Sequence, residues 1–243
     1  MTEYFKGTSG KKIAYNKITG SSPGLVFLGG FMSDMEGSKA MFLESYAKET
    51  GQGYLRFDYS GHGRSSGKFS DGTIGQWFKD AVDVIDALTD GPQILIGSSM
   101  GGWIALLIAK KLPKLVGGIV TIAGAPDFTE DSIWKNLSVD EKEKLRIGEL
   151  LIPSEYGEPY IITKELINEG RSNLVLREPL DFQFPVRVLQ GTADISVEVK
   201  TAIRLFNHIN AKDIELILLK GEDHRFSSDQ GLSLIKRTIS FLQ

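Results

Sequence analysis

A serine lies at the centre of the pentapeptide Gly97-Ser98-Ser99-Met100-Gly101. The apolar run 92–96 before it is typical of a buried strand, and the apolar run 103–112 after it predicts a helix. A strand, a sharp turn with glycines at both ends and a helix form the context of a nucleophile elbow. We therefore predict that Ser99 presents its hydroxyl above a sheet edge as a nucleophile.

A serine hydroxyl needs a base, and the chain offers His62, His208 and His224. His224 follows the predicted strand 214–219, at the sheet edge where active sites of open α/β sheets collect, so it is the predicted base. His208 falls in a predicted helix and is interpreted as a surface or packing residue. His62 belongs to a turn-rich loop and is interpreted as structural, with substrate contact at a rim as the alternative.

The imidazole in turn needs a partner that orients it, and Asp194 is the predicted one. Asp194 follows the predicted strand 186–189, and serine, aspartate, histidine is a known chain order for such a triad. One alternative is that Asp194 only caps the helix predicted over 196–208. Another is that Asp223 orients the base, although its position directly before His224 makes that geometry awkward.

An acyl-transfer site must also stabilise an oxyanion. The backbone N–H of Met100 follows the nucleophile at a helix start and is the first predicted donor. The second is the N–H of Phe31, because Gly29-Gly30 lets the backbone turn after the predicted strand 24–28. A plain strand-to-helix turn would need the same glycines and is the alternative.

These residues require elements that position them, and the hydrophobic pattern alternates strands with helices. The predicted strands are 3–8, 11–19, 24–28, 53–57, 92–96, 115–122, 186–189 and 214–219. The predicted helices are 35–49, 74–89, 100–112, 196–208 and 229–242. Such alternation predicts an α/β fold with a mostly parallel sheet and helices on both faces.

Residues 126–183 interrupt this alternation and are interpreted as a mostly helical cap. The cap is inserted into a single domain that covers residues 1–243. The helices predicted within it are 139–150 and 161–170. Trp134 and Tyr156 of the cap, with Trp103 beside the elbow, are the predicted substrate-binding residues of a partly apolar acyl pocket. Packing in the core is the alternative for these aromatics.

The composition of the chain excludes several kinds of site and favours none of the charged partners. The 28 basic and 31 acidic residues among 243 give a net charge of −3, so nothing favours nucleic acid or an anionic membrane surface as a partner. The chain has no cysteines, which excludes disulfides, a thiolate nucleophile and cysteine-ligated metals. We expect no metal, no cofactor and no membrane span, and the oligomeric state stays open. The N-terminus has no apolar h-region, which favours a cytoplasmic location.

The motifs together resemble the α/β-hydrolase fold superfamily over nearly the whole chain. The motifs that carry the resemblance are Gly29-Gly30-Phe31, residues 58–65, residues 97–102, residues 191–194 and Asp223-His224. The resemblance implies an eight-stranded sheet, with the second strand antiparallel to the rest and the cap inserted after the sixth strand.

Three sequence segments give a narrower resemblance, to the mitochondrial acyl-protein thioesterases and acyl-glucuronide esterases and their bacterial relatives. They are residues 56–61, residues 90–103 and Pro153-Ser-Glu-Tyr156. The resemblance implies hydrolysis of acyl esters or thioesters, with depalmitoylation as one case. Gly29 stands where the commoner pattern has histidine, and no mitochondrial presequence is recognised, which favours a cytosolic enzyme of bacterial type.

The predicted function is therefore a cofactor-free serine hydrolase that cleaves esters or thioesters of acyl substrates through Ser99, His224 and Asp194. The same triad could instead support C–C bond hydrolysis or perhydrolysis. A protein of a different class, which binds ligands on this fold without turnover, is the further alternative.

Overall fold

The fold is built around one eight-stranded sheet, and the computed structural model describes residues 2–154 and 157–242. The strands are β1 (Glu3–Lys6), β2 (Lys12–Ile18), β3 (Ser21–Leu28), β4 (Gln52–Phe57), β5 (Gln93–Ser98), β6 (Val116–Ile122), β7 (Glu149–Ile152), β8 (Tyr160–Thr163), β9 (Leu180–Phe182), β10 (Val186–Gly191), β11 (Ile209–Ala211) and β12 (Ile214–Leu219). The helices are α1 (Ser38–Thr50), α2 (Ile74–Leu88), α3 (Met100–Lys111), α4 (Val139–Ile147), α5 (Lys164–Gly170), α6 (Val199–His208) and α7 (Asp229–Ser240).

The order of strands in the main sheet is β1-β2-β4-β3-β5-β6-β10-β12. Strand β2 runs antiparallel to β1 and to β4, while every other neighbouring pair is parallel. The predicted mostly parallel sheet of eight strands, with its second strand reversed, is therefore confirmed. Its parallel strands end at one edge, which is where the loops that follow β5, β10 and β12 meet.

Helices cover both faces of this sheet, as predicted. Leu95 of β5 packs in a buried cluster with residues of α2, α3 and α6. Its neighbours Ile94 and Ile96 pack in a second cluster, with residues of α1 and α7. Because alternate residues of a strand face opposite sides, a strand covered on both faces must be apolar throughout. This explains the uninterrupted apolar run before the elbow.

The segment between β6 and β10 differs in detail from the predicted helices. Helix α4 begins with a capping box between Ser138 and Glu141 but ends at Ile147. Strands β7 and β8 then pair as an antiparallel hairpin, with Ile152 opposite Tyr160. In β7 the burial alternates between exposed and half-buried residues, the two-residue period of a strand covered on one face. The predicted helices 139–150 and 161–170 were wrong where they included residues of these two strands, because a four-residue alternation is too short to distinguish from a frayed helix end.

Candidate active site

Ser99 lies at the sharp turn between β5 and α3. Its backbone has φ 53° and ψ −117°, a conformation that is rare for a residue other than glycine and is found at strained functional sites. The turn is held by two backbone hydrogen bonds, from the Ser99 N–H to Ile122 O at 3.0 Å and from the Gly102 N–H to Ser99 O at 2.9 Å. A Cβ at Gly101 would overlap the carbonyl of Leu28, so the close approach of α3 to β3 requires glycine.

The imidazole of His224 lies between Ser99 and Asp194. Its Nε2 is 3.1 Å from the Ser99 Oγ, and its Nδ1 is 2.8 Å from the Asp194 Oδ2. The Asp194 side chain is fully buried, while the His224 side chain remains 15% exposed. Three groups that come from loops after β5, β10 and β12 therefore form one continuous chain of hydrogen bonds.

Asp194 holds the local turn as well as the imidazole. Its Oδ1 accepts the backbone N–H groups of Ser196 and Val197, at 3.0 and 2.8 Å, and its Oδ2 accepts the side-chain amide of Gln190 at 2.9 Å. Burial alone would raise the pKa of Asp194. The hydrogen bond and positive charge of His224, together with the hydrogen bonds from the Val197 N–H and the Gln190 amide, outweigh burial. The pKa of Asp194 therefore lies below its ordinary value. The carboxylate therefore stays ionised beside the imidazole.

Neither alternative, that Asp194 only caps the following helix or that Asp223 orients the imidazole, describes the observed contacts. Helix α6 begins at Val199, and its N-cap Glu198 makes no side-chain capping hydrogen bond, so Asp194 orders the turn before the helix rather than the cap itself. The competing Asp223 is exposed, and its Oδ1 accepts the backbone N–H groups of Arg225 and Phe226 at 2.9 and 3.3 Å. These contacts shape the loop that carries His224.

The two predicted oxyanion donors lie beside the serine. Met100 is the first residue of α3, and the first N–H groups of a helix have no acceptor within the helix. Gly30 is so close to the elbow that a Cβ on it would lie 3.4 Å from the Ser99 Cβ. Phe31, the next residue, lines the same cavities as Ser99 and His224. The geometry is compatible with donation from both N–H groups to an oxyanion at Ser99.

The ring of Phe31 is fixed by four aromatic neighbours. The centroid distances are 4.8 Å to Phe69, 5.8 Å to Trp77, 5.5 Å to Phe128 and 5.7 Å to Tyr160, all edge-to-face. Contacts of this kind contribute about 0.5–1.5 kcal/mol each beyond area burial. The loop that carries Phe31 is thus packed against both the main sheet's helices and strand β8.

His62 belongs to the same aromatic cluster and is not among the described residues that line the cavities at Ser99. Its ring centroid is 5.0 Å from those of Phe69 and Trp77, and only 3% of the residue is exposed. Burial lowers the pKa of His62 to about 4. The hydrogen bond at the Ser60 carbonyl raises this pKa but does not outweigh burial. These contacts agree with the structural interpretation and leave no room for His62 at a substrate rim.

Two cavities open beside Ser99 and His224. The larger, about 380 Å³, includes Phe128, Ile133 and Ile152 in its lining. The smaller, about 200 Å³, carries the ionisable side chains of Asp34, Lys39 and Arg225 beside apolar groups. Desolvation lowers the pKa of Lys39 to about 8, although Asp223 and Glu222 oppose it. Ser99 and His224 therefore border two cavities, and the smaller one contains charged side chains.

The predicted substrate-binding residues do not fit these cavities. Trp103 is fully buried, and its indole N–H donates to Asn173 O at 2.9 Å. Trp134 faces the cations of Lys142 and Arg171, 5.2 and 4.7 Å from its ring centroid. Neither tryptophan is among the described residues that line the two cavities, so the prediction for both is corrected to a packing role. Tyr156 lies outside the described residues.

Sequence reasoning missed two apolar residues that line the larger cavity. Ile152 belongs to the hairpin, and Ile195 belongs to the loop that carries Asp194. The signal in the sequence was the position of Ile195 directly after the predicted orienting aspartate. For Ile152 no such signal existed, because its hairpin was not predicted.

The described residues contain neither a cluster of metal-ligating side chains nor a helix that could span a membrane. Residues 2–154 and 157–242 contain no group of three or more histidine, aspartate or glutamate side chains arranged to hold a metal ion. Within the same ranges, no helix has both the length and the apolar character needed to cross a membrane.

The chain belongs to the alpha/beta hydrolase family, whose sequence profile matches residues 25–195. It is 36% identical over 233 residues to bovine "Palmitoyl-protein thioesterase ABHD10, mitochondrial", which covers 95% of this chain and 76% of the relative. Its fold matches that of alpha/beta hydrolase domain-containing protein 10 from mouse, with 33% identity, a TM-score of 0.92 and coverage of 100% and 98%. A crystal structure of a hydrolase from Agrobacterium vitis S4 matches with 39% identity, a TM-score of 0.95 and the same coverage.

These comparisons confirm the predicted superfamily and the narrower resemblance to the acyl-protein thioesterases. The chain is a hydrolase of this family, and the predicted esterase or thioesterase activity agrees with the names of its relatives. The prediction of a cytoplasmic location was wrong, because the curated bovine and human relatives are named as mitochondrial proteins. The missing recognisable presequence was not a sound basis for that prediction.

Proposed function

We propose that the protein is a serine hydrolase that cleaves acyl thioesters or esters through an acyl-enzyme intermediate. Ser99 is the nucleophile, His224 is the base and then the acid, and Asp194 orients His224. The observation that carries the proposal is the chain of short contacts from Ser99 Oγ to His224 Nε2 at 3.1 Å and from His224 Nδ1 to Asp194 Oδ2 at 2.8 Å.

Each contact corresponds to a step of the reaction. Asp194 accepts a hydrogen bond from the Nδ1–H of His224, which leaves Nε2 unprotonated and able to take the proton of the Ser99 hydroxyl as Oγ attacks the acyl carbonyl carbon. The N–H groups of Phe31 and Met100 stabilise the oxyanion that forms. The protonated His224 then gives its proton to the departing sulfur or oxygen, and a water molecule activated by the same imidazole hydrolyses the acyl-enzyme.

The cavities support a substrate with an apolar acyl chain and a polar leaving group. The larger cavity, with Phe128, Ile133 and Ile152, suits an acyl chain because burial of each methylene there is favourable by about 0.8 kcal/mol. The smaller cavity, with Lys39 and Arg225, suits the leaving group. The names of the relatives add support for a long-chain acyl thioester as substrate and for a mitochondrial place of action.

The test is intact-mass labelling with a fluorophosphonate, made on the wild-type protein and on the Ser99→Ala and His224→Ala variants. We expect one adduct on the wild type and none on either variant. Hydrolysis of p-nitrophenyl esters and of acyl-coenzyme A thioesters of increasing chain length then ranks the substrates, with long chains expected to be preferred. A folded wild-type protein that forms no adduct would exclude the mechanism, and an adduct retained by Ser99→Ala would exclude this serine.

A further inference from the structure

Tyr160 stands between the two cavities. Among the residues that the structure describes, four line both cavities, namely Phe31, Ser99, His224 and Tyr160. The first three belong to the proposed catalytic machinery. Tyr160 is the shared wall residue that comes from outside it, on the first position of β8. Its ring therefore lies where the space for the acyl chain meets the space for the leaving group.

The position of this ring is fixed from two sides. Tyr160 is the register partner of Ile152 in the hairpin, and Ile152 itself lines the larger cavity. On the other side, the Tyr160 ring meets the Phe31 ring edge-to-face, at 5.7 Å and 65°. Because Phe31 is held in turn by Phe69, Trp77 and Phe128, Tyr160 rests on a rigid support rather than on a solvated surface.

We propose that the aromatic ring of Tyr160 is a specificity-determining partition, which restricts the enzyme to acyl groups that are unbranched next to the carbonyl. The inference rests on the proposed function and adds the acyl class to it. A straight chain can leave the carbonyl carbon directly into the larger cavity. A branch on the adjacent carbon must enter the space between the cavities, and the ring occupies that space.

The experiment compares two p-nitrophenyl esters with equal carbon number and the same leaving group, the octanoate and the 2-ethylhexanoate. The measured quantity is the ratio of their kcat/KM values on a single preparation, so any loss of folded enzyme cancels. We expect the wild type to favour the straight ester, and Tyr160→Ala to lower the ratio about tenfold, within the range that one added or missing methylene produces in an apolar pocket.

Two variants control this result. Tyr160→Phe keeps the ring and removes the hydroxyl, so it should retain the wild-type ratio. Leu151→Ala alters the exposed face of the same hairpin, where Leu151 is 56% exposed, and should also retain it. A lowered ratio in Tyr160→Phe would assign the selectivity to the hydroxyl and overturn the partition.

Failure of the inference is distinguishable from failure of the proposed function. A wild type that is labelled by the fluorophosphonate and whose ratio matches that of Tyr160→Ala excludes the partition alone. A wild type that is neither labelled nor active on either ester excludes the serine-hydrolase mechanism itself.

Discussion

The two carboxylate oxygens of Asp194 have separate tasks. Oδ1 accepts the backbone N–H groups of Ser196 and Val197, and Oδ2 accepts Gln190 and lies against His224. Removal of the side chain would disturb both the turn and the imidazole. A substitution that keeps the contacts of Oδ1 and changes those of Oδ2 is therefore the informative one.

Asp194→Asn is such a substitution, and it replaces Oδ2 by an NH₂ group that faces both His224 and the Gln190 amide. The amide oxygen can still accept the N–H groups of the turn, but the NH₂ group then faces Nδ1 and favours the wrong imidazole tautomer. We expect kcat for p-nitrophenyl acetate to fall by about 10⁴-fold, as in other triads, with little change in thermal stability. Asp223→Asn is the matched control and should stay within about twofold of the wild type, since it is outside the proposed triad. Comparable losses in both variants would contradict the assignment of Asp194.

At the level of single residues, the sequence points to side chains of a required chemical type more readily than to side chains selected by shape. Ser99, Asp194 and His224 could be singled out because each follows a buried strand and each has a required chemical type. Trp103 could not be placed, because an apolar run after an elbow does not tell which side chain faces a cavity. The structure places its indole among core residues, with Asn173 as its partner.

Among the elements, close approach of backbones brings together the loops that carry Asp194 and His224. The end of β10 and the loop that carries His224 are in contact, and a Cβ at Gly191 would overlap the Glu222 carbonyl oxygen. The Ala193 N–H also donates to this oxygen, at 2.9 Å. The distance between Asp194 and His224 therefore depends on the absence of a side chain at one strand position.

Gly191→Ala tests this dependence. The added methyl group must push the two loops apart, which we expect to cost about 1–3 kcal/mol of stability and to lower kcat about 100-fold through misplacement of the imidazole. Gly118→Ala in β6 is the control, because its Cβ would find only ordinary contacts, at 3.6 Å from Pro185. Thermal melting and ester hydrolysis measure the two effects. Wild-type activity in Gly191→Ala would show that the two loops move independently.

The hairpin of β7 and β8 marks where prediction of elements from sequence failed. Each of its strands has four residues, so each contains only two repeats of the two-residue alternation. The long apolar runs of the main sheet give a stronger signal, since both faces of those strands are covered. Elements that carry the fold were thus predictable, while a short element that shapes the acyl cavity was not.

For the whole molecule, the sequence determined the architecture but not the cavities. The order of strands and helices follows from local patterns, and it brings the loops after β5, β10 and β12 to one sheet edge. The larger cavity instead joins side chains from distant segments, from Phe31 to His224, whose mutual distances depend on the folded chain. Substrate selectivity therefore requires the structure, whereas the reaction class could be predicted without it.

The stability of the whole molecule should depend on pH through His62. Its pKa is lowered by burial from 6.5 to about 4, and its Nε2 has no hydrogen-bond partner among the described residues. Between these two pH values the unfolded chain binds a proton that the folded chain does not, so stability is complete above pH 6.5 and declines as the pH falls towards 4.

His62→Phe should remove this acid sensitivity, because a phenyl ring fits the surrounding aromatic cluster and does not titrate. We expect the free energy of unfolding in urea to fall by about 3 kcal/mol more in the wild type than in His62→Phe between pH 7 and pH 4. The buried carboxylates Asp58 and Asp127, whose pKa values burial raises, titrate equally in both proteins and cancel in the comparison. Parallel pH profiles for the two proteins would show that the buried imidazole finds compensation when it is protonated, and that the aromatic cluster around Phe31 tolerates a charge.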